Sequence, residues 1–255
     1  MHRFFMDIEQ IVGDQITIVG SDAHHIADVL RLSPGERIIM CDGEGFEYEG
    51  EILSSKRSAV TASVLSMKKS TSEPPVRVIL AQGIPKKVEN LELVIQKATE
   101  LGVSRLVPLI SERTVARLKE DKLDARLSRW NRIALEAAKQ SQRAIVPVID
   151  KPMNITEFLD TIPRDALCII PWEKEKDTGI KEFLQLELEN QFPRTTAVLI
   201  GPEGGFSEEE VDVARRAGAV PVSLGPRILR TETAGITALS LILYELGDLG
   251  GASRA

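Results

Sequence analysis

The hydrophobic pattern of the chain changes character near residue 70. Before that point, apolar positions alternate with polar ones at Gln15–Val19, 47–53 and 59–65, and Arg37–Cys41 is a short apolar run. These segments predict four strands. Gly13-Asp14, Ser33-Pro34-Gly35 and Asp42-Gly43-Glu44-Gly45 supply the turns between them. One helix is predicted over 22–32, capped by Ser21 or Asp22. Short strands with a single helix predict a small β-barrel over residues 1–72. Lys68-Lys69-Ser70-Thr71-Ser72-Glu73-Pro74-Pro75 is polar and ends in proline, so it reads as a linker, with a second domain expected over 73–255.

Beyond the linker the period switches. Apolar runs at 76–82, 106–110, 146–149, 166–171, 197–200 and 219–224 predict strands. Over Val88–Leu101, helical spacing puts Leu91, Val94, Ile95, Ala98 and Leu101 on one face, and Gly102 stops the helix. Further helices are predicted at 122–143, Ile155–Thr161, 179–188, 208–217 and 233–246. Strands alternating with helices predict an α/β domain with a mostly parallel sheet covered on both faces.

Composition narrows the class. At 255 residues and 43% apolar, the chain buries a sizeable core, and with only 4% aromatic residues that core is mostly aliphatic. Cys41 and Cys168 are the only cysteines and stand far apart, which argues against a disulfide framework or a zinc site and fits a reducing compartment. The apolar stretch 234–246 is interrupted by Thr237 and Ser240 and is too short to span a bilayer. The first seven residues lack the apolar core of a signal peptide, so a cytoplasmic protein without a membrane or metal partner is expected. Net charge is -6, yet residues 77–147 hold 14 Lys and Arg against 8 Asp and Glu. Two readings stand for that basic segment: a surface facing a polyanion, or a solvated helical face.

In open α/β sheets ligands bind beyond the carboxyl ends of the strands. The first strand-to-helix loop, Ala81-Gln82-Gly83-Ile84-Pro85-Lys86-Lys87, carries neither a dinucleotide fingerprint nor a Walker A sequence, which disfavours NAD(P) oxidoreductases and P-loop NTPases. The two last loops are denser in signals. Gly201-Pro202-Glu203-Gly204-Gly205-Phe206 follows a strand, and Ser207 with Glu210 forms a capping box for the next helix. Its glycines permit close approach to a ligand, and Glu203 would suit a cationic one; the alternative is a tight turn that needs glycine for geometry. Gly225-Pro226-Arg227-Ile228-Leu229-Arg230-Thr231-Glu232-Thr233 sets an Ile-Leu pair inside a loop, to wall a flat ligand, to anchor the loop to the core, or to do both. The helix after it is rich in small and apolar residues and must bury itself in its own core or against a second subunit.

Ile200-Gly201-Pro202-Glu203-Gly204-Gly205-Phe206-Ser207 and Leu224-Gly225-Pro226-Arg227-Ile228-Leu229-Arg230-Thr231-Glu232-Thr233-Ala234 resemble the signatures of the RsmE-type 16S ribosomal RNA uridine-N3 methyltransferases, of the SPOUT class. Gln96-Lys97-Ala98-Thr99-Glu100-Leu101-Gly102, Glu112-Arg113, Arg129-Trp130 and Gln140-Ser141 support the resemblance, as do Arg3-Phe4-Phe5 and the stretch from His25 to Leu30-Arg31. It implies a PUA-like barrel followed by a SPOUT domain with a C-terminal trefoil knot, and a homodimer acting on 16S rRNA of the small ribosomal subunit. It also implies S-adenosylmethionine held by Pro171, by Ile200, Gly201, Pro202, Glu203, Gly204 and Gly205, and by Leu224, Gly225, Ile228, Leu229, Arg230, Thr233 and Ala234.

Uracil N3 is protonated at neutral pH, so its proton must leave and the resulting charge must be held. Arg230 is the candidate electrostatic clamp and Glu232 the candidate general base, although a carboxylate there also suits the first turn of a helix. Arg129, Arg132, Lys139 and Arg143 recur at helical spacing and, with Lys86, Lys87 and Arg113, form the expected phosphate track. Arg3, His25 and Arg31 are the expected RNA contacts of the first domain. Methylation at another RNA position or at a ribose 2′-hydroxyl, and RNA binding without catalysis during ribosome assembly, are the competing readings.

Overall fold

The computed structural model describes residues 1–115, 120–190 and 192–251. The chain divides into two compact units, Met1–Glu73 with Ala138–Val146 and Pro74–Ala137 with Pro147–Ala255. Segment 138–146, placed with the second domain from sequence, thus packs with the first unit.

In the first unit, β1 (His2–Phe5), β2 (Ile11–Val12), β3 (Gln15–Val19), β4 (Arg37–Cys41), β5 (Phe46–Lys56) and β6 (Ala59–Lys69) form a sheet of order β1-β4-β5-β6-β3-β2. All neighbours are antiparallel except β1 and β4. Period-two alternation sends Ile16 and Ile18, Ile38 and Met40, and Val60 and Ala62 into one apolar core, which Phe4 of β1 completes. Strands β5 and β6 outrun their predicted ends because they pair along their whole length, from Phe46 opposite Lys69 to Lys56 opposite Ala59.

Two expectations change here. The predicted helix at 22–32 is a short α1 (Gly20–His24) continued by a π-helical turn over His25–Val29. Neither Ser21 nor Asp22 caps it, since the chain passes straight from β3 into the helix and leaves both inside its first turn. Arg31 then takes a left-handed conformation (φ 55°) ahead of Ser33-Pro34, which ends the helical path. The predicted linker is not a loose tether either. Ser70 Oγ donates to Glu47 (2.6 Å), Ser72 Oγ donates to the Gln142 carbonyl (2.8 Å), and Glu73 accepts from Arg143 Nη2 (2.7 Å) and the Ala144 amide (2.9 Å).

The second unit holds β7 (Arg77–Gly83), α2 (Val88–Leu101), β8 (Arg105–Ile110), α3 (Leu123–Gln140, whose last turn belongs to the first unit), β9 (Val148–Ile149), β10 (Met153–Asn154), α4 (Ile155–Thr161), β11 (Leu167–Pro171), α5 (Ile180–Asn190), β12 (Thr195–Ile200), α6 (Glu208–Arg216), β13 (Val220–Val222) and α7 (Thr231–Leu246). Within the described residues the strands form one wholly parallel sheet of order β10-β8-β7-β12-β11-β13, with β9 also on β8. Its central strands are apolar on both faces: Val78, Ile79, Leu80 and Ala81 on β7 and Ala197, Val198, Leu199 and Ile200 on β12 are all buried. Helix α2 buries Leu91, Val94, Ile95 and Ala98 and ends at Gly102, as its spacing predicts, while Leu101 of the same predicted face is only half-buried. Helix α7 begins at Thr231, two residues before the predicted start, and packs on α2 and α5. Among the described residues, no helix is long and apolar enough to cross a membrane. Nor are three His, Cys, Asp or Glu side chains placed there to hold a metal ion.

Candidate functional site

Strands β12, β11 and β13 are neighbours, and their carboxyl ends open into one cavity of about 350 Å³. Its walls are Pro171 at the end of β11 with Trp172 and Glu173 beyond it, Ile200 at the end of β12 with the run from Gly201 to Phe206, the run from Ser223 to Leu229 after β13, and Ala234 on α7. This is the crevice an open parallel sheet offers a ligand.

The loop after β12 is fixed at both ends. The capping box forms as its sequence specifies: Ser207 Oγ accepts from the Glu210 amide (3.3 Å) and Glu210 Oε2 from the Ser207 amide (2.9 Å). Gly205 sits at φ 67°, the left-handed region that favours glycine, and the Glu173 carboxyl lies against it, 2.8 Å from where a Cβ would stand. Glu203, read from sequence as a charge for a cationic ligand, accepts a 2.8 Å hydrogen bond from the Lys86 amide and so ties this loop to the one after β7. Arg113 Nη1 donates to the Gly204 carbonyl (2.8 Å) from another side of the same loop.

In the loop after β13, Ile228 is 90% exposed on the cavity wall, which rules out the anchoring role for it; Leu229 is half-buried. Trp172 has Lys174 Nζ 5.7 Å and Arg215 Cζ 5.6 Å from its ring centroid. Lys174 also pairs with Glu208 (2.5 Å) and holds that carboxyl below its ordinary value. Trp172 and Glu173 were missed in the sequence, although one of two tryptophans in an aromatic-poor chain, right after a strand, was a usable signal. Phe206, Ser223, Pro226 and Arg227 also line the cavity beyond the expected set, whereas Arg230 and Thr233 lie outside the lining.

Arg230 is the N-cap of α7, with an exposed side chain, and its carbonyl accepts from the Ala234 amide (2.8 Å). Glu232 belongs to the first turn of α7, where Asn90 Nδ2 donates to its Oε1 (3.3 Å). Both readings of Glu232 thus meet in one place, a helix start that follows a cavity-lining loop.

The expected RNA residues are less uniform. Lys86, Lys87, Arg113 and Arg132 are exposed, as are His25 and Arg31. Arg129 is exposed but bound bidentately to Glu92 (2.6 and 2.8 Å). Lys139 pairs with Asp22 (2.9 Å). Arg143 lies beyond the end of α3, is 3% exposed, and pairs with Glu73, so it is no part of a solvated stripe. Arg3 is half-buried, paired with Glu47 (2.9 Å) and donating to Cys41 Sγ (3.1 Å). Helical spacing places cations on a helix face without showing which of them a neighbouring acid has already taken up.

The parallel sheet and its strand-end cavity define a ligand-binding α/β domain joined to a small β unit. Residues 72–243 match the RNA methyltransferase domain family, and residues 13–65 match the RNA methyltransferase PUA domain. The chain is 36% identical to the ribosomal RNA small subunit methyltransferase E of Bacillus subtilis, over 98% of this chain and 99% of that one. It is 31% identical to the protein of that name from Buchnera aphidicola subsp. Schizaphis graminum, over 97% and 96% of the two chains. The crystal structure of a ribosomal RNA small subunit methyltransferase E from Neisseria gonorrhoeae, bound to S-adenosyl methionine, superposes with a TM-score of 0.84 at 29% identity, covering 98% of this chain and 99% of that one. The chain belongs to the ribosomal RNA small subunit methyltransferase E family of RNA methyltransferases.

Proposed function

We propose that the protein transfers a methyl group from S-adenosylmethionine to N3 of a uridine in the 16S rRNA of the small ribosomal subunit, as a cytoplasmic homodimer. The cavity shared by the loops after β11, β12 and β13 carries this reading, because it gathers most of the expected cofactor residues into one place. Its volume falls in the range of about 300–1,000 Å³ usual for small-molecule sites. Backbone amides and carbonyls of the Gly201 and Gly225 loops would meet the polar edges of the cofactor. Ile228 and Leu229 would face its flat part, and Glu173 would offset its positive charge.

When bound, S-adenosylmethionine supplies a methyl group already activated on sulfur, so the protein's task is to position the acceptor and manage its proton. Arg230, exposed at the head of α7, is the group that holds negative charge on the uracil oxygens. Glu232, one turn edge away with Oε1 held by Asn90, is the candidate acceptor of the N3 proton. The first unit, through His25 and Arg31, and Lys86, Lys87, Arg113, Arg129 and Arg132 of the second would meet RNA. The SPOUT assignment and the trefoil knot belong to the same reading, supported by the two loop signatures. A second copy of the chain would give exposed apolar side chains such as Leu93 on α2, Leu186 on α5 and Tyr244 on α7 something to pack against.

Calorimetric titration of S-adenosylmethionine into wild type and Ile228→Asp tests the site. Wild type is expected to bind. Ile228→Asp is expected to bind roughly tenfold or more weakly with an unchanged thermal midpoint, since the residue is exposed and the new carboxylate must be desolvated by the ligand. Folded wild type that binds none, alone or with small-subunit rRNA, would contradict the proposal.

A further inference from the structure

Gln82 is fully buried one residue from the carboxyl end of β7 and takes no part in the cavity lining. Its Nε2 donates to Thr231 Oγ1 (2.8 Å) and approaches the Thr231 carbonyl at 3.3 Å. Thr231 Oγ1 in turn donates to the Gly201 carbonyl at 2.5 Å. The hydroxyl therefore gives its one proton to the loop after β12 and takes one from β7, so both of its polar roles are used. Two side chains tie together the end of β7, the first residue of the cavity loop, and the first turn of α7, next to Arg230.

Packing around the pair leaves little slack. A Cβ on Gly235 would collide with Gln82 Oε1, and a Cβ on Gly83 would collide with the Pro202 nitrogen. Among the described residues, none donates a hydrogen bond to the buried Gln82 Oε1. An unpaired buried carbonyl costs stability that an apolar side chain of the same length would not. What an apolar side chain could not supply here is the hydrogen bond from Nε2 to Thr231.

We propose that Gln82 and Thr231 are a positioning pair that holds the Gly201 loop and the Arg230 N-cap at the spacing cofactor binding requires. The inference rests on the methyltransferase reading above. Without the pair, the loops spend only part of their time assembled, and apparent affinity falls by that fraction. Once the cofactor is bound the arrangement is restored, so affinity suffers more than turnover.

The full-length wild type, Thr231→Val, Thr231→Ser and Gln82→Met are compared by S-adenosylmethionine titration, thermal midpoint and steady-state methylation of small-subunit RNA. Thr231→Val and Gln82→Met are expected to raise Kd and KM for S-adenosylmethionine roughly tenfold, the scale of one lost buried hydrogen bond, with kcat falling less than about threefold. Thr231→Ser keeps the hydroxyl and is expected to restore wild-type affinity. Wild-type affinity in Thr231→Val and Gln82→Met would overturn the positioning role alone. So would a kcat loss that tracks a lowered midpoint in all three variants at unchanged KM, which marks a merely structural role. Wild type that binds no S-adenosylmethionine would overturn the methyltransferase reading and this inference with it.

Discussion

Arg143 and Arg132 stand eleven positions apart, and sequence treats them alike. In the structure Arg132 is exposed, while Arg143 donates through Nη2 to Glu73, which also receives the Ala144 and Ile145 amides. Removing the cation leaves the half-buried Glu73 carboxylate with only those two amides, so Arg143→Met is expected to cost about 1–3 kcal/mol in urea unfolding. Arg132→Glu is expected to move stability by less than about 0.5 kcal/mol and instead to weaken RNA binding while S-adenosylmethionine affinity holds. An unmoved unfolding midpoint in Arg143→Met would refute the structural role assigned to it. The same lesson applies to Glu47. Burial pushes its carboxyl up, but hydrogen bonds from Ser70 and Arg3 outweigh that and hold it below its ordinary value. Arg3 is thereby committed to the interior of the first unit. Cys168 is the converse case, with burial alone pushing its thiol up to about 12. Whether a charge faces solvent or a partner is decided by long-range contacts, which residue type and spacing do not encode.

Elements with a strong local signal were legible. Val88–Leu101 and Ile155–Thr161 have the bounds their periodicity predicts, and the α6 start follows its capping box. Elements defined by a partner were not. β1 is read as a strand only because it pairs with β4, and β2 only because it pairs with β3. Thr231 and Glu232 looked like loop because the apolar run begins at Ala234, yet Thr231 opens α7 with its side chain turned back to Gly201 and Gln82. Gly83 shows how tightly the strand ends are drawn together: a Cβ would lie 2.5 Å from the Gly201 carbonyl carbon and 2.8 Å from the Ile200 oxygen. These two atoms and the Pro202 nitrogen, the nearest to it, are all backbone, which cannot rotate away. Gly83→Ala is therefore expected to lose about 1–3 kcal/mol to overpacking and to weaken S-adenosylmethionine binding by displacing the Gly201 loop. A variant as stable as wild type would show that the loop can move freely.

At the scale of the molecule, the α/β class and the position of the cavity followed from alternation of strands and helices and from two glycine-rich loops. The third wall, Trp172 and Glu173, did not, because the strand order that sets β11 between β12 and β13 is a property of the sheet and not of any local run. The return of residues 138–146 to the first unit was equally hidden, since a helix carries no mark of where along it one packing environment gives way to another. What the whole chain does is tested most directly by its product. Small ribosomal subunits lacking the modification are incubated with the protein and methyl-labelled S-adenosylmethionine, and the 16S rRNA is digested to nucleosides for mass spectrometry. The expected result is label in N3-methyluridine at one site per subunit with wild type. Label in another base or in a ribose 2′-O-methyl group, or none with folded, cofactor-binding protein, would contradict it.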